Sequence, residues 1–285
     1  MKPAAFDYVV ADSVDSAVAA LGRGDAKIIA GGQSLVPMLN FRLLRPAILV
    51  DINRIPDLAF IREDDTAITV GALARHHQLE TSPLIARHLP VLGEAMRHVA
   101  HLAIRNRGTI GGSLSHADPA AELPMMAMLL DAGLRVASAL GTRTVAAHDF
   151  FKNALSVDLA EDEIVTEIVL PKLSQNTGWG FEEVARRSGD FALAAVAATL
   201  TLSDGAIAQA RIAMTGVAPT PRRAGTAESM LVGARLDHEV SDGVIEAVRA
   251  VAEPETDLHA SADYRRHLVG VLARRALGAA WRRAA

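Results

Sequence analysis

Two stretches decide how this chain is read. They are Ile28-Ile29-Ala30-Gly31-Gly32-Gln33-Ser34-Leu35-Val36-Pro37 and Arg105-Asn106-Arg107-Gly108-Thr109-Ile110-Gly111-Gly112-Ser113-Leu114. Each sets a glycine pair beside small hydroxyl side chains. Glycine lets the backbone approach a ligand closely and adopt positive φ, so that successive N–H groups converge on one point. A helix beginning at such a turn adds unpaired donors and a favourable dipole. Ser34 reads as the N-cap of that helix, and Pro37 falls in its first turn, where proline is tolerated. A single loop of this kind is usually a tight strand-to-helix turn. Two in one chain point to the phosphates of a shared dinucleotide, with a pair of structural turns as the other reading. Neither is a Rossmann fingerprint or a Walker loop.

Outward from these loops the N-terminal part alternates strand and helix. Strands are expected at 8–10, 27–30 and 47–51, with a helix at 14–21 capped by Ser13. Residues 61–70 read as a hairpin turning at Glu63-Asp64-Asp65. A helix is expected over 84–99, with Leu89, Leu92, Ala95, Met96 and Val99 on one stripe, and another over 123–130 stopped by Gly133. Residues 134–145 read as a hairpin at Gly141, and 164–170 as a strand ended by Pro171. The polar stretch 173–180 reads as a domain boundary. Beyond it, strands are expected at 180–185, 192–202 and 208–213, the last two joined at Ser203-Asp204-Gly205. A Gly/Pro-rich loop, 215–223, leads to helices at 224–232, 240–252 and 264–283. The fold class is therefore α+β. Domains are expected at 1–174, with subdomains near 1–55 and 56–174, and at 178–285.

With 285 residues, half of them hydrophobic and 22% charged, the chain has the balance of a water-soluble protein. A net charge of -4 provides no basic field for nucleic acid. There is no cysteine, so disulfides, thiolate metal sites and Cys-ligated iron–sulfur clusters cannot form within it. The N-terminus lacks the apolar core of a signal peptide. The most apolar stretch, 191–202, is about a dozen residues, short of the ~20 that span a bilayer. No transmembrane segment and a cytoplasmic location are expected.

The opening Met1-Lys2-Pro3 with Phe6 and Tyr8, the two glycine loops, His116-Ala117-Asp118-Pro119-Ala120-Ala121-Glu122-Leu123-Pro124, and Phe181-Glu182-Glu183-Val184-Ala185-Arg186-Arg187-Ser188-Gly189-Asp190-Phe191-Ala192 together resemble the FAD-binding medium subunit of the carbon monoxide dehydrogenase and xanthine dehydrogenase family, across essentially the whole chain. The resemblance implies an FAD-binding domain of the vanillyl-alcohol-oxidase type followed by a small C-terminal domain of antiparallel sheet and helices. It also implies an electron-transfer role, with a molybdopterin-containing large subunit and an iron–sulfur small subunit as partners. Ile28, Ile29, Ala30, Gly31, Gly32, Gln33, Ser34 and Leu35, with Thr109, Ile110, Gly111, Gly112 and Ser113, are then expected around the diphosphate of a non-covalently held FAD. Glu122 matches an acidic position near the adenosine part, Ala100 and His101 lie where the chain passes the flavin ring, and Ile164 and Val165 match a late backbone contact. Two departures stand out. Relatives often carry Pro where Leu102 stands, and some carry Lys near Glu182 or Glu183. A self-sufficient flavin oxidase or dehydrogenase of the same fold is the rival, although the C-terminal domain is short for a substrate pocket.

The remaining candidates read as structural. His98 and His101 have helical spacing but no third ligand nearby, so no metal site is expected. His76 and His77 read as surface residues. Arg105 and Arg107 either offset the diphosphate charge or pair with acids to hold the loop. Asp118 reads first as a helix N-cap and second as a cofactor contact. The arginine pairs at 265–266, 274–275 and 282–283 are nine residues or so apart and do not share a helix face. No nucleophile elbow, paired-carboxylate hydrolase site or HExxH motif is present. A flavoprotein relay needs no catalytic side chain of its own, because the cofactor carries the chemistry.

Overall fold

A computed structural model describes residues 1–235 and 240–284. The chain opens with β1 (Asp7–Val10), α1 (Val14–Leu21), β2 (Ala26–Ile29), α2 (Leu35–Asn40) and β3 (Ile48–Asp51). The three strands form a parallel sheet in the order β1-β3-β2. Ser13 caps α1 reciprocally with Ser16, as its sequence implies. The turn after β3 carries Asn53, which becomes important at the site.

A second layer follows: β4 (Ile61–Glu63), β5 (Ala67–Gly71), α3 (His76–Thr81), α4 (Pro83–His88), α5 (Pro90–His98), α6 (Leu102–Arg105), α7 (Ile110–His116), α8 (Glu122–Leu129), β6 (Gly133–Ser138), β7 (Gly141–Ala146), α9 (Ala147–Phe150), β8 (Phe151–Asn153), β9 (Ser156–Val157) and β10 (Ile164–Pro171). The antiparallel sheet runs β4-β5-β10-β6-β7. Both expected hairpins form, with Ile61 opposite Val70 and Ser138 opposite Gly141. The single helix expected over 84–99 is instead two. Pro90 has no N–H to continue the ladder, and Leu89 leaves helical geometry at φ -139 and ψ 52. The stripe nonetheless points inward, for Leu89, Leu92, Ala95 and Met96 are all buried, while Val99 is only partly so. Helix α8 is apolar on all sides and accordingly lies in the core.

The C-terminal part is a four-stranded antiparallel sheet, β11 (Thr177–Ala185), β12 (Ala192–Ser203), β13 (Ala206–Thr215) and β14 (Arg222–Arg223), with α10 (Gly225–Leu231), α11 (Asp242–Arg249) and α12 (Ala262–Ala284). The polar stretch after Pro171 ends earlier than its composition implies, because β11 already begins at Thr177. The expected loop 215–223 likewise ends in the short strand β14. Strand β12 is buried on both faces along nine residues. One face turns small side chains, Ala195 and Ala197, toward the core shared with the N-terminal helices. The other turns Val196, Ala198 and Leu200 toward α12. On β11, a Cβ at Gly180 would overlap the backbone of Ala276, and one at Gly178 the backbone near Ala280 and Ala284. The last helix therefore lies directly on the sheet. The architecture is α+β, as expected.

Candidate functional site

The glycine loops meet across a cavity of about 770 Å³, toward the upper end of the usual range for small-molecule sites. In each pair the first glycine is set by protein packing. A Cβ on Gly31 would meet the Arg107 carbonyl and lie 2.8 Å from Gly108 Cα, and one on Gly111 would lie 2.6 Å from the Ala72 Cβ. The second glycine faces the cavity, and Gly32 adopts φ +73, which an L side chain resists.

Arg75 fastens the two loops together. It donates to the Arg107 carbonyl at 2.5 Å and to Asn53 Oδ1 at 2.7 Å, and Asn53 donates to the Ala30 carbonyl at 2.8 Å. Gln33 turns back to donate to Gly31 O at 3.0 Å. Neither Arg75 nor Asn53 stood out in the sequence, because their partners are backbone carbonyls far away along the chain.

The loops differ in what they offer a ligand. Among the described residues, the backbone amides of Gly32, Gln33, Ser34 and Leu35 donate to no protein acceptor. Ser34 stands at the N-cap position of α2 but makes no capping hydrogen bond, so its hydroxyl is free as well. In the second loop, the amides of Ile110 and Gly111 are taken by the Ala74 and Ala72 carbonyls, and that of Gly112 by the Thr109 side chain that caps α7. There the Ser113 hydroxyl and the Thr109 amide are what remain. Four adjacent unspent donors on a glycine turn fit an anionic diphosphate. Lys27 is the one Lys or Arg among the described residues on the wall.

Of the residues the sequence nominates, Ile28, Ala30, Gly31, Gly32, Gln33, Ser34, Leu35, Ala100, Thr109, Gly111, Gly112, Ser113, Asp118, Glu122, Ile164 and Val165 line this cavity. Three do not. Ile29 packs beneath Gly32, Ile110 is buried in the core, and His101 is exposed with its ring against Gly189. Asp118 is not the N-cap of α8, a place taken by Ala121. Its carboxylate instead accepts from Ala120 N at 2.9 Å, closing the turn before the helix. Arg105 resolves to the loop-holding role: it pairs with Glu80 at 2.9 Å and donates to the Val99 and Ala100 carbonyls at 3.0 and 2.8 Å. The latter contact steadies Ala100, which sits at φ +45. Neither Arg105 nor Arg107 reaches the cavity wall.

His76, expected at the surface, is buried on that wall under Gly108, and neither ring nitrogen has a hydrogen-bond partner. Burial, helped by the charges of Arg105 and Arg75, lowers its pKa to about 4. Glu122 is also buried on the wall. Burial first, then the charges of Glu183 and Asp118, raise its pKa to about 8. The C-terminal sheet adds Gly189, Asp190 and Phe191 at the rim, Phe191 with much of its ring exposed. The motif containing them was visible, but only the fold shows that it returns to this cavity. No three His, Asp or Glu side chains among the described residues are placed to hold a metal ion, and no described helix is long and apolar enough to cross a membrane.

Comparison with known proteins agrees with this geometry. The family described as the FAD binding domain in molybdopterin dehydrogenase matches residues 4–173, and the CO dehydrogenase flavoprotein C-terminal domain matches residues 179–280. The 6-hydroxypseudooxynicotine dehydrogenase complex subunit alpha of Paenarthrobacter nicotinovorans is 44% identical, covering 100% of this chain and 97% of its own. Carbon monoxide dehydrogenase from Hydrogenophaga pseudoflava superposes with a TM-score of 0.96 at 40% identity, and quinoline 2-oxidoreductase from Pseudomonas putida 86 with 0.95 at 38%, each covering 100% of both chains. The chain belongs to the FAD-binding medium-subunit family of the molybdenum-containing dehydrogenases.

Proposed function

We propose that this chain carries FAD non-covalently in the cavity between its glycine loops and relays electrons within a heteromeric molybdenum hydroxylase, in the cytoplasm. The observation that carries this reading is the set of four unspent amides, Gly32 to Leu35, at one wall of a cavity long enough to be lined by both domains. These amides and the Ser113 hydroxyl hold the diphosphate. The flavin ring lies toward Ala100 and the Gly189–Phe191 rim. Glu122, buried on the wall, serves the adenosine part, as the resemblance implies. FAD supplies two-electron redox chemistry; the chain's own groups bind it, orient it and exclude water.

Electrons arrive from an iron–sulfur subunit and leave to an external acceptor, while a molybdopterin-containing large subunit oxidises the substrate. The relatives span carbon monoxide, a nicotine derivative and quinoline in their names, so a substrate-choosing role for this chain is disfavoured. The self-sufficient oxidase reading has no observation in its favour. Anaerobic stopped-flow at the flavin band is the test. The isolated holo-chain is expected to resist bleaching by hydroxylase substrates, and addition of the two partner subunits to permit it. Rapid bleaching of the isolated chain by an organic substrate would sink the relay.

A further inference from the structure

The two glycine loops meet backbone to backbone at Gly31, and a cation stands behind the meeting point. A Cβ on Gly31 would overlap the Arg107 carbonyl and lie 2.8 Å from Gly108 Cα. The Arg75 guanidinium donates to that same carbonyl at 2.5 Å and, with its other arm, to Asn53 Oδ1 at 2.7 Å. Asn53 spends its side-chain N–H groups on the Ala30 carbonyl at 2.8 Å and on Asp51 Oδ1 at 2.7 Å. Only one orientation of its amide satisfies these contacts, with the oxygen toward Arg75 and the nitrogen toward the other two oxygens. Asp51 also accepts from the Tyr8 hydroxyl and from Asn53 N, the latter at 2.8 Å. From Tyr8 on β1 through Asp51, Asn53 and Arg75 to the second loop, every link is a hydrogen bond.

Arg75 is partly buried and does not line the cavity. Among the described residues, both arms of its guanidinium end on neutral oxygens and not on a carboxylate. Burial first, then the charge of Arg107, act against its ionisation, and Asp51 is the acid that favours it. An arginine keeps its charge under such pressure. Fastening two loops does not by itself require a cation, since a neutral amide could donate to the same two oxygens.

We propose that Arg75 is the counter-charge of the cofactor's diphosphate, acting through the backbone of the loops and not by touching the ligand. The inference rests on the reading of the cavity as an FAD site with its diphosphate at Gly32 to Leu35. The diphosphate is a dianion, and amides solvate it without neutralising it. Lys27, the cation on the wall, has an exposed side chain, so water and salt screen it. Arg75 lies behind the loops and is screened less. Gly31 brings the first loop into backbone contact with the carbonyl that Arg75 holds, so the charge reaches that loop without a side chain entering the cavity. Arg75 is thus a positioning residue, itself aimed by Asn53.

The test titrates the full chain, stripped of FAD, with ADP and with adenosine, which differ only in the diphosphate, and reads binding by calorimetry. Wild type is expected to bind ADP more tightly than adenosine. Arg75→Gln is expected to weaken ADP on the order of tenfold, the size of a partly screened charge interaction, and to leave adenosine unchanged. Arg75→Lys keeps the charge and is expected to recover most of the lost ADP affinity. Lys27→Gln is expected to cost less than Arg75→Gln. Should Arg75→Gln fail to fold, Asn53→Asp sets a carboxylate on the unchanged guanidinium and is expected to give the same selective loss of ADP. Equal weakening of ADP and adenosine would reduce Arg75 to a clamp and overturn the counter-charge. So would wild-type ADP binding in Arg75→Gln, a Lys variant no better than Gln, or a greater loss in Lys27→Gln. Each of these results leaves the FAD site standing. A wild-type chain that binds neither FAD nor ADP would overturn the site itself, and the counter-charge with it.

Discussion

At His76 the wall of the cavity holds an imidazole that cannot easily take a charge. Its pKa is about 4 in the folded chain, against 6.5 unfolded. The unfolded chain therefore binds the proton first, and stability falls as pH drops from 6.5 toward 4. At 1.36 kcal/mol per unit, the loss is on the order of 3 kcal/mol. Glu122 works in the opposite sense. Its raised pKa makes its contribution greatest below the unfolded carboxylate range and lost as pH climbs toward 8. Urea unfolding of the apo chain across this range checks both: His76→Asn is expected to flatten the acid side, and Glu122→Gln the neutral side. The glycine pairs were legible in the sequence because the reason for a glycine is local. His76 was not. It sits in Arg75-His76-His77-Gln78, a polar run with no periodic apolar signal, and is buried by a loop thirty or so residues further on.

Among the elements, the hairpins and α8 follow from their patterns, while α4 and α5 show a proline overruling an apolar stripe. What no pattern revealed is how tightly α12 lies on β11. The glycines at 178 and 180 look like weak points in a strand, yet they are the places where a helix backbone touches a sheet backbone. Gly180→Val is expected to force α12 off the sheet and to cost about 3 kcal/mol or more, read as a lowered urea midpoint. Gly205→Ala, at a turn where a Cβ meets only the far end of Arg235, tests a different cost, positive φ without crowding. Its loss is expected near 1 kcal/mol.

Across the whole molecule, the two parts are joined by polar clamps around an alanine-faced contact. Arg223, from β14, reaches Glu228 at 2.6 Å, Asp131 at 2.8 Å and the Met128 carbonyl at 3.0 Å. Arg211 adds a second bond to Asp131 at 2.9 Å. Arg223→Ala removes a partly buried charge and leaves the Glu228 carboxylate without a cation. A cost of about 2 kcal/mol is expected, and calorimetry should show the single transition separating into two as the parts uncouple. The family and the order of domains were legible because the motifs span the chain. The seam between domains was not, since it is built from alanines and from arginines that resemble solvated ones.

The four unbonded amides of Gly32, Gln33, Ser34 and Leu35 have one more consequence. With no protein acceptor, their hydrogens are free to trade with deuterium in the empty chain, whereas the amides of Val36 and Met38 just behind them are held by the Gly32 and Ser34 carbonyls. A diphosphate seated there would lock the same four. Deuterium uptake by this one peptide is therefore a gauge of how much of a preparation is loaded, readable without colour and in the presence of any other chromophore that the assembled complex contains.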